Sequence, residues 1–252
     1  MPPLTFEEAR KRVGTPGISA SLAAAGGFLD GFTYVGHGQV FSNAMTGNVV
    51  LLGINCLSGS WHTGFRHLPA ILAFLIGTSV SDAIQLHPKR RGVSAPYIAV
   101  LVLEIGVLTI LSLLPANTPD IFFTTSIAFA ASVQVQTFRE VEGHSFSSTF
   151  TTGNLRTLSD AVFAWFFESH AAEKARVAKV FSGICMAFLA GAAVGGYATY
   201  AFGNPALWCD ILLLVLIAIG VRSRLRLAPA TWNRPESGDA RVDEIPSEIP
   251  SA

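Results

Sequence analysis

One short element occurs twice, and its recurrence constrains the chain more than any other feature. Residues 41–48 read Phe-Ser-Asn-Ala-Met-Thr-Gly-Asn, and residues 146–154 read Phe-Ser-Ser-Thr-Phe-Thr-Thr-Gly-Asn. Aligned on the shared Thr-Gly-Asn, Phe32 falls on Phe138 and Asp30 on Gln136. A second match follows each copy: Ala73-Phe74-Leu75 with Gly77 and Val80 corresponds to Ala187-Phe188-Leu189 with Gly191 and Val194. Two matches in the same order predict an internal duplication, repeat one over 17–115 and repeat two over 119–223.

The sequence around these elements is apolar. Only 13% of the 252 residues are charged, against about a quarter in a soluble protein, and mean hydropathy is +0.47. Lys and Arg sit in short runs between long apolar stretches. This is the pattern of an all-α polytopic membrane protein whose partner is the lipid bilayer. No basic face suits nucleic acid. Cys56, Cys185 and Cys209 are scattered in apolar sequence, so neither a disulfide framework nor a metal site is expected. No nucleophile–base pair, zinc set or phosphate loop is present, so neither an enzyme nor a cofactor is expected.

Apolar segments are expected at 18–35, 68–86, 95–114, 121–138, 178–202 and 206–221. The Thr-Gly-Asn segments are weaker. The first is polar from Val40 through Asn48 and apolar only from Val49 to Leu57, about 13 Å of helix against a hydrocarbon thickness of roughly 30 Å. If all eight segments spanned, Lys89, Arg90, Arg91 and Arg139 would face outward, against the positive-inside tendency. If both Thr-Gly-Asn elements enter and leave on one side, these residues, the Lys174–Lys179 cluster and the C-terminal arginines are all cytoplasmic. The second arrangement predicts six transmembrane helices plus two broken or re-entrant elements in two inverted repeats. Both termini are then cytoplasmic: a segment over 1–16, a membrane domain over 17–226, and a polar, disordered tail over 227–252.

Within Thr46-Gly47-Asn48 and Thr152-Gly153-Asn154, the Gly is expected to take a backbone conformation closed to other residues, and Thr or Asn to cap the following helix. Two helix N-termini near a pseudo-symmetry axis would aim partial positive charge at a solute. The competing reading is an ordinary capped turn at each. Asp30 and Glu104 are acids inside apolar segments, where ionisable groups are costly and face the bundle interior. Asp30 and Gln136 are expected to line the solute site and Glu104 to serve as a coupling group; the alternative for each acid is a protonated, hydrogen-bonded carboxyl. Asp82 and Asp210 read as interfacial, His37 and His144 as solvated loop histidines, and Trp61, Trp165 and Trp208 as interfacial anchors.

Gly26-Gly27-Phe28-Leu29-Asp30 followed by Met45-Thr46-Gly47-Asn48 resembles the YoaK-like family of bacterial and fungal membrane proteins. The resemblance runs over about 17–223. It implies an integral protein of about six helices in the cytoplasmic membrane and implies no substrate. The functional expectation is a small secondary transporter or channel for a small polar or anionic solute. Its rival is a non-transporting scaffold or regulatory subunit whose intramembrane polar residues are structural. Small-residue-rich surface would also allow a homodimer.

Overall fold

The computed structural model describes residues 6–85, 95–149, 151–167 and 171–226, and these are almost entirely helical. The Lys89–Arg91 run and the 227–252 tail lie outside the described residues. A short helix α1 (Phe6–Val13) leads into α2 (Pro16–Gly36), which Pro16 starts at the position where its missing N–H costs nothing. Past α2, Gly38 and Gln39 take positive φ values of 72° and 60°, turning the chain back along the helix it has left. Then come α3 (Met45–Leu57), α4 (Trp61–Phe65), α5 (Leu68–Gln85), α6 (Ala95–Ser112) and α7 (Asp120–Thr137). A two-stranded hairpin follows, β1 (Glu140–Val141) with β2 (His144–Ser145), whose turn residues Glu142 and Gly143 both have positive φ, the hairpin-favouring geometry. Helices α8 (Thr151–Phe167), α9 (Ala171–Phe202) and α10 (Leu207–Arg226) complete the chain, with a 3₁₀ turn at Asn204–Ala206 between the last two. Ala172–Phe202 and Asn204–Arg226 are each long and apolar enough to cross a bilayer; α2, of 21 residues, is about 32 Å long.

Cross-links between loops fix the directions. At one end, Arg10 of α1 pairs with Glu140 at 2.8 Å, and Arg176 near the start of α9 donates to both Glu142 carboxylate oxygens at 3.0 and 2.6 Å. Arg176 holds the Glu142 carboxyl below its usual range. Tyr97 at the start of α6 meets Phe138 at the end of α7, ring centroids 5.3 Å apart. At the other end, His37 beyond α2 meets Asp120 at the start of α7, and Asn204 donates to the Leu114 carbonyl at 3.1 Å. Six helices therefore run from end to end, α2, α6 and α9 one way and α5, α7 and α10 the other. The hairpin therefore lies at the same end as α1, tied there by the Arg10–Glu140 pair. Neither α3 nor α8 carries the chain across: Asn48 in the first turn of α3 touches His67 just before α5, and α8 begins beside the middle of α2, where the Ser148 carbonyl meets Gly26, while α9 starts at the hairpin end.

Packing follows the small residues. Helix α2 lies along α9, and α5 along α7. A Cβ on Gly27 would overlap the Phe188 carbonyl oxygen, and one on Gly191 the Ala24 carbonyl oxygen. Contact this close supplies the van der Waals attraction that holds helices together where neighbouring lipid is equally apolar. Gly77 on α5 meets Phe129 and Ser132 of α7 in the same manner. Helix α10 packs on α6 and α2, and α6 on α7.

His37 departs from expectation. It is 6% exposed rather than solvated, stacked on Phe123 at 3.9 Å with its Nδ1 3.2 Å from Asp120 Oδ1. Burial pulls its pKa below the usual histidine value, and Asp120 only partly opposes this. The folded state thus takes up the proton less readily than the unfolded chain. Its contribution is fully present above about pH 6.5 and is lost as pH falls through the lower folded-state value. Melting curves of purified protein should show stability falling on acidification over that window. His37→Gln should flatten the fall; an unchanged slope would remove His37 as its source.

Candidate functional site

Asp30 lies in the last third of α2 and is 4% exposed. The 37–44 loop folds back against it. Asp30 Oδ1 accepts from the Asn43 N–H at 2.7 Å, the Ala44 N–H at 3.4 Å and the Ser42 hydroxyl at 3.4 Å. Ser42 N–H donates to Thr33 Oγ1 at 3.2 Å, and Asn43 Nδ2 to the Gly26 carbonyl at 3.0 Å. The residue preceding α3 is Ala44, which has no side-chain oxygen to offer, so a carboxylate from another helix sits before this N-terminus instead. The other oxygen, Oδ2, is buried and has no hydrogen-bond partner.

The two Thr-Gly-Asn elements are built alike, though not as capped breaks. Both lie in the first turn of their helices, and neither Gly47 nor Gly153 has positive φ. Gly47 is small for another reason: the Phe41 ring lies 2.9 Å from where its Cβ would be. The Asn residues reach backward rather than capping forward. Asn48 accepts from Phe41 N–H at 2.9 Å and donates to the Phe41 carbonyl at 2.7 Å. Asn154 accepts from Ser147 N–H at 3.3 Å and donates to the Ser147 carbonyl at 2.7 Å. Each is a two-bond clamp across the loop before its helix. Asn48 Oδ1 also lies 3.2 Å from His67 Nδ1; since that oxygen can only accept, Nδ1 is the protonated nitrogen of His67.

Between α2, α9 and the starts of α3 and α8 lies a cavity of about 540 Å³. Asp30, Thr46, Thr149, Thr151 and Thr152 give it polar groups, and Tyr34, Phe41 and Phe188 an apolar wall. Of the residues expected to meet at a site, Asp30, Thr46 and Thr152 do. Gly47, Asn48 and Asn154 shape the loops behind it. Gly153 lies instead on a separate hollow of about 370 Å³ with Asn154, Arg156 and Asp160.

Gln136 does not line the cavity. Its amide donates to Asp82 across the α5–α7 contact. Gln134 takes the place that alignment assigns to Gln136: its Oε1 accepts from Ser148 Oγ at 3.0 Å, as Asp30 accepts from Ser42. Its Nε2 donates to Glu104 Oε2, so Glu104 joins the polar interior through Gln134 and stays away from the cavity. Asp210 is also misread as interfacial: it is 1% exposed, neither carboxyl oxygen has a partner, and it lies within electrostatic reach of Glu104. Gln134, Ser148, His67 and Asp210 are thus among the polar interior residues that sequence reasoning missed. The available signal was an apolar stretch carrying two glutamines, of which depth alone picks one.

The chain matches, over residues 18–220, the model of a family described as a protein of unknown function, DUF1275. It is 24% identical over 208 residues to a Bacillus subtilis (strain 168) protein named UPF0700 transmembrane protein YoaK, covering 81% of this chain and 92% of the relative. No solved structure matches.

Proposed function

The chain belongs to the DUF1275 family, and we propose that it is an integral membrane protein of six spans that moves a small polar solute through the Asp30 cavity. The transmembrane name of the Bacillus relative supports the membrane part. Six end-to-end helices, with α2, α5 and α6 reversed in α7, α9 and α10, support two inverted repeats. Supporting them further, the Gly77 helix and the Gly191 helix each pack on the first long helix of the other half. The end carrying α1, the hairpin, Arg176 and the α10 arginines is the basic one, so it faces the cytoplasm, in the cytoplasmic membrane. A cysteine replacing Trp61 should then react with an impermeant maleimide added to whole cells, and one replacing Arg139 only after lysis. The reverse pattern would invert the protein.

One observation carries the solute reading: the unpartnered Oδ2 of Asp30, a buried residue on the wall of the cavity where both Thr-Gly-Asn helices begin. A polar group without a partner away from water is costly, and a hydrogen-bond donor from a solute would satisfy it. Asp30 also places a carboxyl at the α3 N-terminus, which favours a polar or donor-bearing solute over an anion. A stability screen of the purified protein against small polar solutes should find a compound that raises the melting temperature. Asp30→Asn should abolish that shift while the protein still folds. If no solute stabilises the wild type and Asp30→Asn merely lowers its melting temperature, the scaffold reading takes its place; the two Asn clamps, each tying a side-chain amide to the backbone of the preceding loop, are what favours it.

A further inference from the structure

Glu104 on α6 and Asp210 on α10 are both 1% exposed and lie on helices packed against each other. Glu104 has one neutral donor, the Gln134 amide. Both oxygens of Asp210 are buried without a partner. Among the described residues no cation is paired with either carboxyl. On α7, the Gln134 that faces Glu104 is uncharged, and Asp120, at the end of the bundle where α10 begins, is paired with His37. On α2, Asp30 is engaged by the 42–44 loop. On α1, Arg10 is paired with Glu140 at the hairpin end. The 3₁₀ turn at Asn204–Ala206 carries no ionisable side chain.

Two carboxylates sharing an apolar interior without a counter-charge cannot both stay ionised; something positive must sit with them. A metal ion of the oxygen-seeking kind takes six or more oxygens, and among the described residues no third Asp, Glu, His or Cys joins these two. A proton needs only one oxygen. We propose that Glu104 and Asp210 form an internal proton-binding site, in which Gln134 holds the Glu104 carboxylate and Asp210 carries the proton.

The geometry also ties this site to the cavity. Ser148 donates to Gln134, Gln134 donates to Glu104, and Thr149, next to Ser148, lines the cavity. Gln134 is a positioning residue here, because an amide orients its neighbours and does not itself pass protons readily. The proton site rests on the transport reading only for its use, where the proton would be the coupling ion.

Infrared spectroscopy of the full chain in lipid discs tests this without any solute, so the cavity reading can fail while this one stands. In an Asp30→Asn background at neutral pH, the spectrum should contain a protonated-carboxyl C=O band that shifts when isotope-labelled aspartate is incorporated. Asp210→Asn should remove it. Glu104→Gln and Gln134→Leu should move its frequency, since both change the field at Asp210, which a packing role would not do. If Asp210→Asn fails to fold, the isotope shift combined with the Glu104→Gln displacement decides. Absence of the band from folded protein, or its survival in Asp210→Asn, overturns the proposal.

Discussion

Asn48→Ala is expected to destabilise the protein more than any other single truncation in the Thr-Gly-Asn elements. The Asn48 side chain satisfies the Phe41 N–H, the Phe41 carbonyl and the His67 Nδ1–H at once. Alanine leaves all three without their partner, and each buried group stranded costs about 1–3 kcal/mol. A total loss of about 3–5 kcal/mol follows, allowing for partial relaxation. Asn154→Ala removes only the two-bond clamp on Ser147, one of them long at 3.3 Å, and should cost about 1–2 kcal/mol. Asn48→Asp separates the contributions: it keeps the acceptor for Phe41 N–H and His67 but sets a negative oxygen against the Phe41 carbonyl. It should therefore fall between wild type and alanine. Thermal unfolding of the three variants in one detergent would rank them. Equal melting temperatures for Asn48→Ala and wild type would mean that the loop holds without its clamp.

These residues also mark how far the sequence could be read. Helices α5 and α7 are found within a residue or two of expectation, because their apolar runs have clear ends. The recurrence of Thr-Gly-Asn drew attention to two helix starts, each with an Asn clamping the loop before it, and Asp30 lies beside the first. What it could not supply was register. The segment between Gln134 and Asn154 is longer than that between Asp30 and Asn48, the excess being taken up around the β1–β2 hairpin. A gap-free alignment therefore lands on Gln136. The hairpin itself has no strand-like run, only a Glu-Gly turn that becomes visible through its positive φ values. Asp210 sits one turn into α10 and so looked terminal. The 3₁₀ turn, pinned by Asn204 to the Leu114 carbonyl, tucks that first turn inside the bundle. His67 lies in a stretch that reads as a loop, and only the return of α3 and α4 to the end they left brings it onto Asn48.

Substitution in the α2–α9 seam is the other change with a large expected effect. Gly27 and Gly31 on α2 and Gly191 and Gly195 on α9 each place bare backbone against a carbonyl oxygen of the opposite helix. A carbonyl cannot rotate away as a side-chain tip would, so Gly27→Val or Gly191→Val must drive the helices apart. Overpacking of this kind costs about 1–3 kcal/mol, and separation also weakens the close contacts along the rest of the seam, so the upper end of that range is expected. Gly183→Ala, on the same helix with nothing within 4 Å of the new Cβ, supplies the control: it should be neutral or stabilise by roughly 0.5–1 kcal/mol. Both walls of the Asp30 cavity come from this seam, with Asp30 and Gly31 on one side and Phe188, Ala192 and Gly196 on the other. The valine variants should accordingly lose both melting temperature and any solute-induced shift, whereas Asp30→Asn loses the shift alone. A Gly27→Val protein as stable as wild type would mean that α2 and α9 are not in close contact, and the cavity between them would go with the seam.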